Sequence, residues 1–184
     1  MLGEADDVLG EIERMTRKAF LPIVGPEKGK VLVSVLRDVN PRRVLEIGTL
    51  VGYSAILMGK NIDSVAEIIT VEVHAGEAEA AKKNVERANL RPKVRVIIGD
   101  AKKVIPQLGG VFDFVFLDAA KFEYLKYLML AEDKLHEGSV VVADNAGMFA
   151  SQMQDYLDYV RYSGKYRSKY VAVGNDGLEI SFKA

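Results

Sequence analysis

Three polar residues close two apolar runs in this chain, and together they have the makings of a cation site. Asp118 ends the run Phe112-Asp-Phe-Val-Phe-Leu117, and Asp144-Asn145 ends Ser139-Val-Val-Val-Ala143. Two carboxylates and an amide carbonyl are hard oxygen ligands, suited to a divalent cation such as Mg²⁺ with positions left for water or substrate. Without a cation, Asp118 and Asp144 would repel each other at a partly buried place, which is costly. The structural alternative is that each acid caps the helix following it, although a cap leaves Asn145 unexplained. Lys121 lies within a turn of Asp118. A lysine beside a dication is pushed toward its neutral form and can serve as a general base; the plainer alternative is a surface lysine near a helix start.

A second cluster is built on glycine. In Val44-Leu-Glu46-Ile-Gly48-Thr49-Leu-Val-Gly52-Tyr-Ser54 an apolar run breaks at Gly48 and restarts after Gly52, which reads as strand, tight turn and helix. Such a turn lies at the carboxyl end of a strand, where open α/β sheets bind ligands. The spacing is neither that of a dinucleotide fold nor that of a P-loop, so a nucleoside-like ligand without a pyrophosphate fits better than NAD or ATP. Glu72 ends the next run, Glu67-Ile-Ile-Thr-Val-Glu72, where an acid can accept hydrogen bonds from ribose hydroxyls. A ligand-free turn and a solvated strand-end acid are the alternatives.

Positioning these groups calls for alternating strands and helices. The pattern predicts helices over 4–19 and 26–39, then strand 43–47, helix 53–61, strand 67–73, helix 76–88, strand 93–98, helix 101–108, strand 112–117, helix 122–135, strand 139–143 and helix 149–162. Strands 166–173 and 178–183 follow, joined by Gly174-Asn-Asp-Gly177 as a hairpin. The fold class is α/β, a mostly parallel sheet with helices on both faces and an antiparallel strand at the C-terminal end. Residues 1–184 read as one domain, with the helices of 1–40 covering the ligand site.

Composition narrows the function classes. With no cysteine, disulfides, thiolate catalysis and Cys-ligated metals are excluded. His74 and His136, the two histidines, are far apart and not at metal-ligand spacing. A formal net charge of −1 gives no general reason to expect nucleic acid or a membrane surface as partner. The stretch Tyr162-Ser-Gly-Lys-Tyr-Arg-Ser-Lys-Tyr170 could be a basic-aromatic patch for nucleic acid, but a strand with basic edge protection is the simpler account. No apolar run reaches the length of a membrane span, and the acidic beginning is unlike a signal peptide, so a cytoplasmic protein is expected.

At these residues the chain resembles the cation-dependent, S-adenosylmethionine-dependent O-methyltransferases, the family of the catechol and caffeoyl-CoA enzymes and their prokaryotic relatives. The likeness spans roughly residues 20–184. Val24-Gly25-Pro-Glu-Lys28-Gly29 resembles a stretch before the first strand; Glu46-Ile-Gly48-Thr49-x-x-Gly52-Tyr53-Ser54 is similar to the donor-binding motif; Gly99-Asp100-Ala101 resembles the adenine-side loop; Leu117-Asp118-Ala-Ala-Lys121-x-x-Tyr124 and Asp144-Asn145 resemble the metal-and-base motifs. The resemblance implies a seven-stranded class I methyltransferase sheet. It implies a donor site of Val24, Glu46, Gly48, Thr49, Ser54, Glu72, Ala101 and Asp118, and Mg²⁺ on Asp118, Asp144 and Asn145. Lys121 would be the base, acting with Asp118 at the catalytic centre. The acceptor would be a small aromatic with adjacent hydroxyls, held by Lys121 and Asn145, with Phe20, Pro22 and Phe149 lining its place. The acid that hydrogen-bonds the second hydroxyl in the catechol enzyme has no counterpart at Tyr170 or its neighbours. A monomer or a homodimer is expected. Methylation of RNA or protein on the same fold, a nucleotide-binding oxidoreductase and a non-catalytic nucleoside binder are the competing readings; the near-neutral charge, the missing third glycine and the Asp/Asp/Asn/Lys set count against them in turn.

Overall fold

In the computed structural model, which describes residues 3–63 and 65–184, seven strands form one sheet in the order β3-β2-β1-β4-β5-β7-β6. β1 (Arg43–Ile47), β2 (Glu67–Glu72), β3 (Lys93–Ile98), β4 (Phe112–Leu117) and β5 (Leu135–Ala143) are mutually parallel. β7 (Asp176–Lys183) inserts antiparallel between β5 and the edge strand β6 (Tyr166–Val173). The helices are α1 (Glu4–Thr16), α2 (Gly25–Val39), α3 (Tyr53–Lys60), α4 (Ala75–Arg87), α5 (Ala101–Val104), α6 (Tyr124–Ala131) and α7 (Gln154–Tyr162). This is the doubly covered α/β sheet, with its antiparallel end, that the sequence predicts.

Why these runs become strands is visible in β4. Alternate side chains leave opposite faces of a strand. Val115 and Leu117 join the core shared with α6 and α7, and Phe114 and Phe116 the opposite core, which includes α2; an irregularity between Phe112 and Phe114 breaks the alternation and puts Phe112 on the first side. All five are buried, because a parallel sheet covered by helices has no wet face. β3 lies at an edge and alternates with solvent instead.

Several boundaries differ from the sequence reading. α1 stops at Thr16, whose hydroxyl bonds the Glu13 carbonyl. The helix expected over 101–108 is four residues of α-helix and then a 3₁₀ turn at Ile105–Gln107, where Pro106 removes a donor. The helix expected over 122–135 is α6 flanked by 3₁₀ turns, and that expected over 149–162 begins only at Gln154. β5 starts at Leu135 rather than 139, and the hairpin turn is tighter, so that Asp176 and Gly177 belong to β7. Met1 and Leu2, at the head of the expected N-terminal cover, lie outside the described residues. Among the described residues, no helix is long and apolar enough to cross a membrane.

Candidate active site

The parallel strands end side by side, and their ladders continue into the loops. Gly48 N donates to the Val71 carbonyl, Gly99 N to Glu72, Asp118 N to Ile47 and Asp144 N to Leu117. The polar residues after each strand are therefore brought to one edge in register. There they line a cavity of about 720 Å³, reaching from Glu72, His74 and Gly99–Lys102 at one end to Asp144, Asn145 and Phe149 at the other. From the segment before α2, Phe20, Pro22, Ile23 and Val24 also line it.

Gly48 is the tightest point. It has φ +98°, and a Cβ there would run into the Asp118 carbonyl oxygen; only glycine allows both the conformation and the approach. Leu50, next in the turn, has φ +48°, and its N–H donates to Glu72 Oε2 at 2.9 Å. Glu72 Oε1 accepts the His74 N–H at 3.0 Å. Glu72 thus anchors both loops of the nucleoside end. Glu72, His74 and Glu77 bring ligating atoms close together, yet each Glu72 oxygen already holds a backbone N–H.

Thr49, Ser54 and Ala101 line the cavity, as do Val24, Glu72 and Asp118. Glu46 is placed differently. Fully buried behind the lining, it accepts hydrogen bonds from Ser54 and Thr70. Burial pushes its carboxyl up to about 8, with Asp118 and Glu72 adding to the effect.

At the other end Asp118, Asp144, Asn145 and Lys121 converge, as their spacing predicts. Asp118 Oδ1 receives Lys121 Nζ at 2.9 Å, and the same ammonium lies 2.9 Å from the Tyr124 hydroxyl, which donates to the Asp144 carbonyl at 3.3 Å. Asp144 is almost fully buried, and its Oδ1 accepts the Asn145 N–H at 2.7 Å. Burial, and next the Asp118 charge, raise the Asp144 carboxyl to about 6. The capping account fails: neither acid bonds a helix N-terminus, and the turn after Asp118 starts at Ala120 without a side-chain cap. Phe20, Pro22, Met148 and Phe149 also line the cavity, and Phe20 is 93% exposed.

Two residues that the sequence reading left out complete the site. Lys28 of α2 reaches Asp144 Oδ1 at 2.6 Å and Asp176 Oδ2 at 2.9 Å. Asp176 opens β7 and also accepts Asn145 Nδ2 at 2.7 Å and the N–H groups of Gly147 and Met148 at 3.2 and 2.9 Å. Lys28 had carried only a motif resemblance, and the Asp-Gly of 176–177 reads as turn punctuation. Tyr170 lies over Gly177 with its hydroxyl against Gly147, where neither glycine has room for a Cβ.

The residues present fit a divalent cation. Among the described residues, Asp118 Oδ2, Asp144 Oδ2 and Asn145 Oδ1 have no protein hydrogen-bond partner, while the companion atom of each is bonded. Three oxygen donors in reserve beside a buried carboxylate with a raised pKa are the chemistry a hard cation takes.

Comparison with known proteins agrees with this geometry. Residues 3–161 match the model of the O-methyltransferase family. The chain is 35% identical over 193 residues to catechol O-methyltransferase B of Danio rerio, covering 97% of this chain and 72% of that one. Its structure is similar to an O-methyltransferase from Bacillus cereus in complex with SAH, with a TM-score of 0.87, 27% identity, and coverage of 97% of this chain and 91% of that one. It is also similar to the O-methyltransferase TomG from Streptomyces achromogenes, in complex with SAM, with a TM-score of 0.87, 25% identity and coverage of 96% and 89%. The chain belongs to the O-methyltransferase family.

Proposed function

We propose that the chain transfers a methyl group from S-adenosylmethionine to one hydroxyl of a small aromatic acceptor with adjacent hydroxyls, aided by a divalent cation. The observation that carries this is the convergence of Asp118, Asp144, Asn145 and Lys121 at one end of a cavity whose other end is a nucleoside-shaped turn on Glu72.

Glu72 would take the ribose hydroxyls, Gly48 and Thr49 the backbone-close middle of the donor, and Asp100–Lys102 the adenine side. Asp118, Asp144 and Asn145 would hold the cation, which, when bound, makes an acceptor hydroxyl more acidic. Lys121, 2.9 Å from Asp118, would take that hydroxyl's proton. Ile23 and Val24 close the cavity from above, and Phe20, Met148 and Phe149 offer an apolar seat to an aromatic ring. The rate gain would come mainly from holding oxygen, methyl carbon and sulfur in line. The donor assignment is supported by the structural relatives solved with SAH and SAM, and the acceptor class by the catechol enzymes among the sequence relatives.

A panel of catechols assayed with S-adenosylmethionine tests this. Methylation should stop with a chelator and return with Mg²⁺. Undiminished activity in chelator would remove the cation; a panel wholly unreactive in Mg²⁺ would remove the acceptor class.

A further inference from the structure

We propose that Asp176 is a positioning residue for the cation site: from the β6–β7 hairpin it fixes the Asn145 amide so that the carbonyl, not the NH₂, faces Asp118 and Asp144. This rests on the cation-binding reading above.

The argument starts from an ambiguity. An asparagine side chain has one donor end and one acceptor end of nearly the same shape, and only the acceptor end can ligate a cation. Something must choose between them. Asn145 is also a non-glycine residue at φ +62°, a conformation that surrounding contacts must hold. Asp176 supplies both constraints. It is buried, and every group around its two oxygens is a donor: Lys28 Nζ and Asn145 Nδ2 at Oδ2, Gly147 N and Met148 N at Oδ1. A carboxylate so surrounded cannot donate, so the end of Asn145 facing it must be the NH₂. The carbonyl is then turned away from Asp176. The two bonds to Gly147 and Met148 hold the loop just past Asn145, and the Gly177 carbonyl accepts the Ala146 N–H at 3.1 Å. Lys28 ties the same carboxylate to Asp144. Asp176 bonds Asn145 directly, reaches Asp144 only through Lys28 and does not line the substrate cavity, so its effect passes chiefly through Asn145.

Groups behind metal ligands typically change metal affinity by about 10- to 100-fold when removed. The test measures Mn²⁺ binding by electron paramagnetic resonance, with S-adenosylhomocysteine binding by calorimetry as a control on the donor end. Asp176→Asn should weaken Mn²⁺ binding by that factor and leave S-adenosylhomocysteine affinity unchanged. In an Asn145→Ala background, the same substitution should cost Mn²⁺ binding much less than it does alone, because the main residue through which it acts is gone. Wild-type Mn²⁺ affinity in Asp176→Asn would overturn the proposal, and so would a full additive loss in the double variant, which would make Asp176 merely structural. If Asp176→Asn does not unfold cooperatively, Asp176→Glu keeps the charge but moves the carboxylate by one methylene. It should weaken Mn²⁺ binding more in the single variant than in the Asn145→Ala background, and unchanged affinity in the single variant is equally fatal. Wild-type protein that binds S-adenosylhomocysteine but no Mn²⁺ would instead defeat the cation reading itself.

Discussion

Two lysines enter the acceptor end, and their surroundings give them different chemistry. Lys28 sits between Asp144 and Asp176, at 2.6 and 2.9 Å. Burial pulls its ammonium down, but the two carboxylates more than offset this and leave it above its ordinary value. It is a fixed positive charge and a poor proton acceptor. Lys121 has one carboxylate partner, Asp118, and otherwise the Tyr124 hydroxyl, and it faces the cavity. Of the two, Lys121 is therefore the one that suits the proposed role of base. Lys121→Ala should lower turnover by about 10²- to 10⁴-fold, the usual worth of a positioned base, with donor affinity intact by calorimetry. Full turnover would take the role away from it. Asp118, Lys121, Asp144 and Asn145 were legible in the sequence because each closes, or lies one turn past, a strand whose end could be read. The Lys28–Asp176 contact was not: it joins residues 148 apart, and neither partner has a distinctive neighbourhood. Glu46 was legible as a motif position but not as a buried acid bonded to Ser54 and Thr70, because that depends on which face of β1 it occupies.

At the scale of elements, one aspartate ties the feet of three strands. Asp113, at the start of β4, accepts the N–H groups of Arg42 and Arg43 at the foot of β1, both at 2.8 Å, and His136 Nε2 on β5 at 2.9 Å. This contact, together with Ser139 Oγ donating to the Phe112 carbonyl, draws β5 back to Leu135. It explains why an apolar run beginning at 139 under-read the strand: the pairing before it is made by polar residues. The pair also gives a pH signature. The hydrogen bond to Asp113 comes first among the causes that raise His136 above its ordinary 6.5. The stabilisation is thus complete below pH 6.5 and is lost as pH rises through the higher folded-state value. Asp113 is held below its ordinary 3.8: burial opposes this, but the bonds from His136 and the Arg42 and Arg43 amides outweigh it, so its share is lost only in strong acid. His136→Ala should therefore cost stability at pH 6 and little at pH 9, by less than about 1 kcal/mol because the imidazole is half exposed. Thermal unfolding at both pH values checks this, and an equal loss at both would refute it. Strands β1, β2, β4 and β5 were readable because two-sided burial leaves apolar runs, and the edge strand β3 because of its β-branched run Val94-Arg-Val-Ile-Ile98. The helix ends were not, since Pro106 and the 3₁₀ turns around α6 exchange one hydrogen-bond pattern for another with little change in composition.

Across the whole molecule, the cavity draws its lining from segments spread along the chain, from Phe20 to Phe149. A ligand that fills it bridges the segment before α2, the loops after β1 to β5 and the start of α6's turn. Binding to the folded state alone adds stability by mass action, about 2.7 kcal/mol at a hundred times Kd. S-adenosylhomocysteine should therefore raise Tm in a concentration-dependent way, while NAD should not. A shift with NAD of the same size would reopen the oxidoreductase reading.

The place of β7 in the sheet has a further consequence. It enters between β5 and β6, after both in the chain, and carries Asp176 at its first residue. During synthesis on the ribosome, a nascent chain that has emerged as far as the loop after β5 already owns Asp118, Lys121, Asp144 and Asn145, but not the strand whose Asp176 bonds the last of them. If the proposed cation site and the role of Asp176 hold, the centre would be assembled only once the β6–β7 hairpin has joined the sheet.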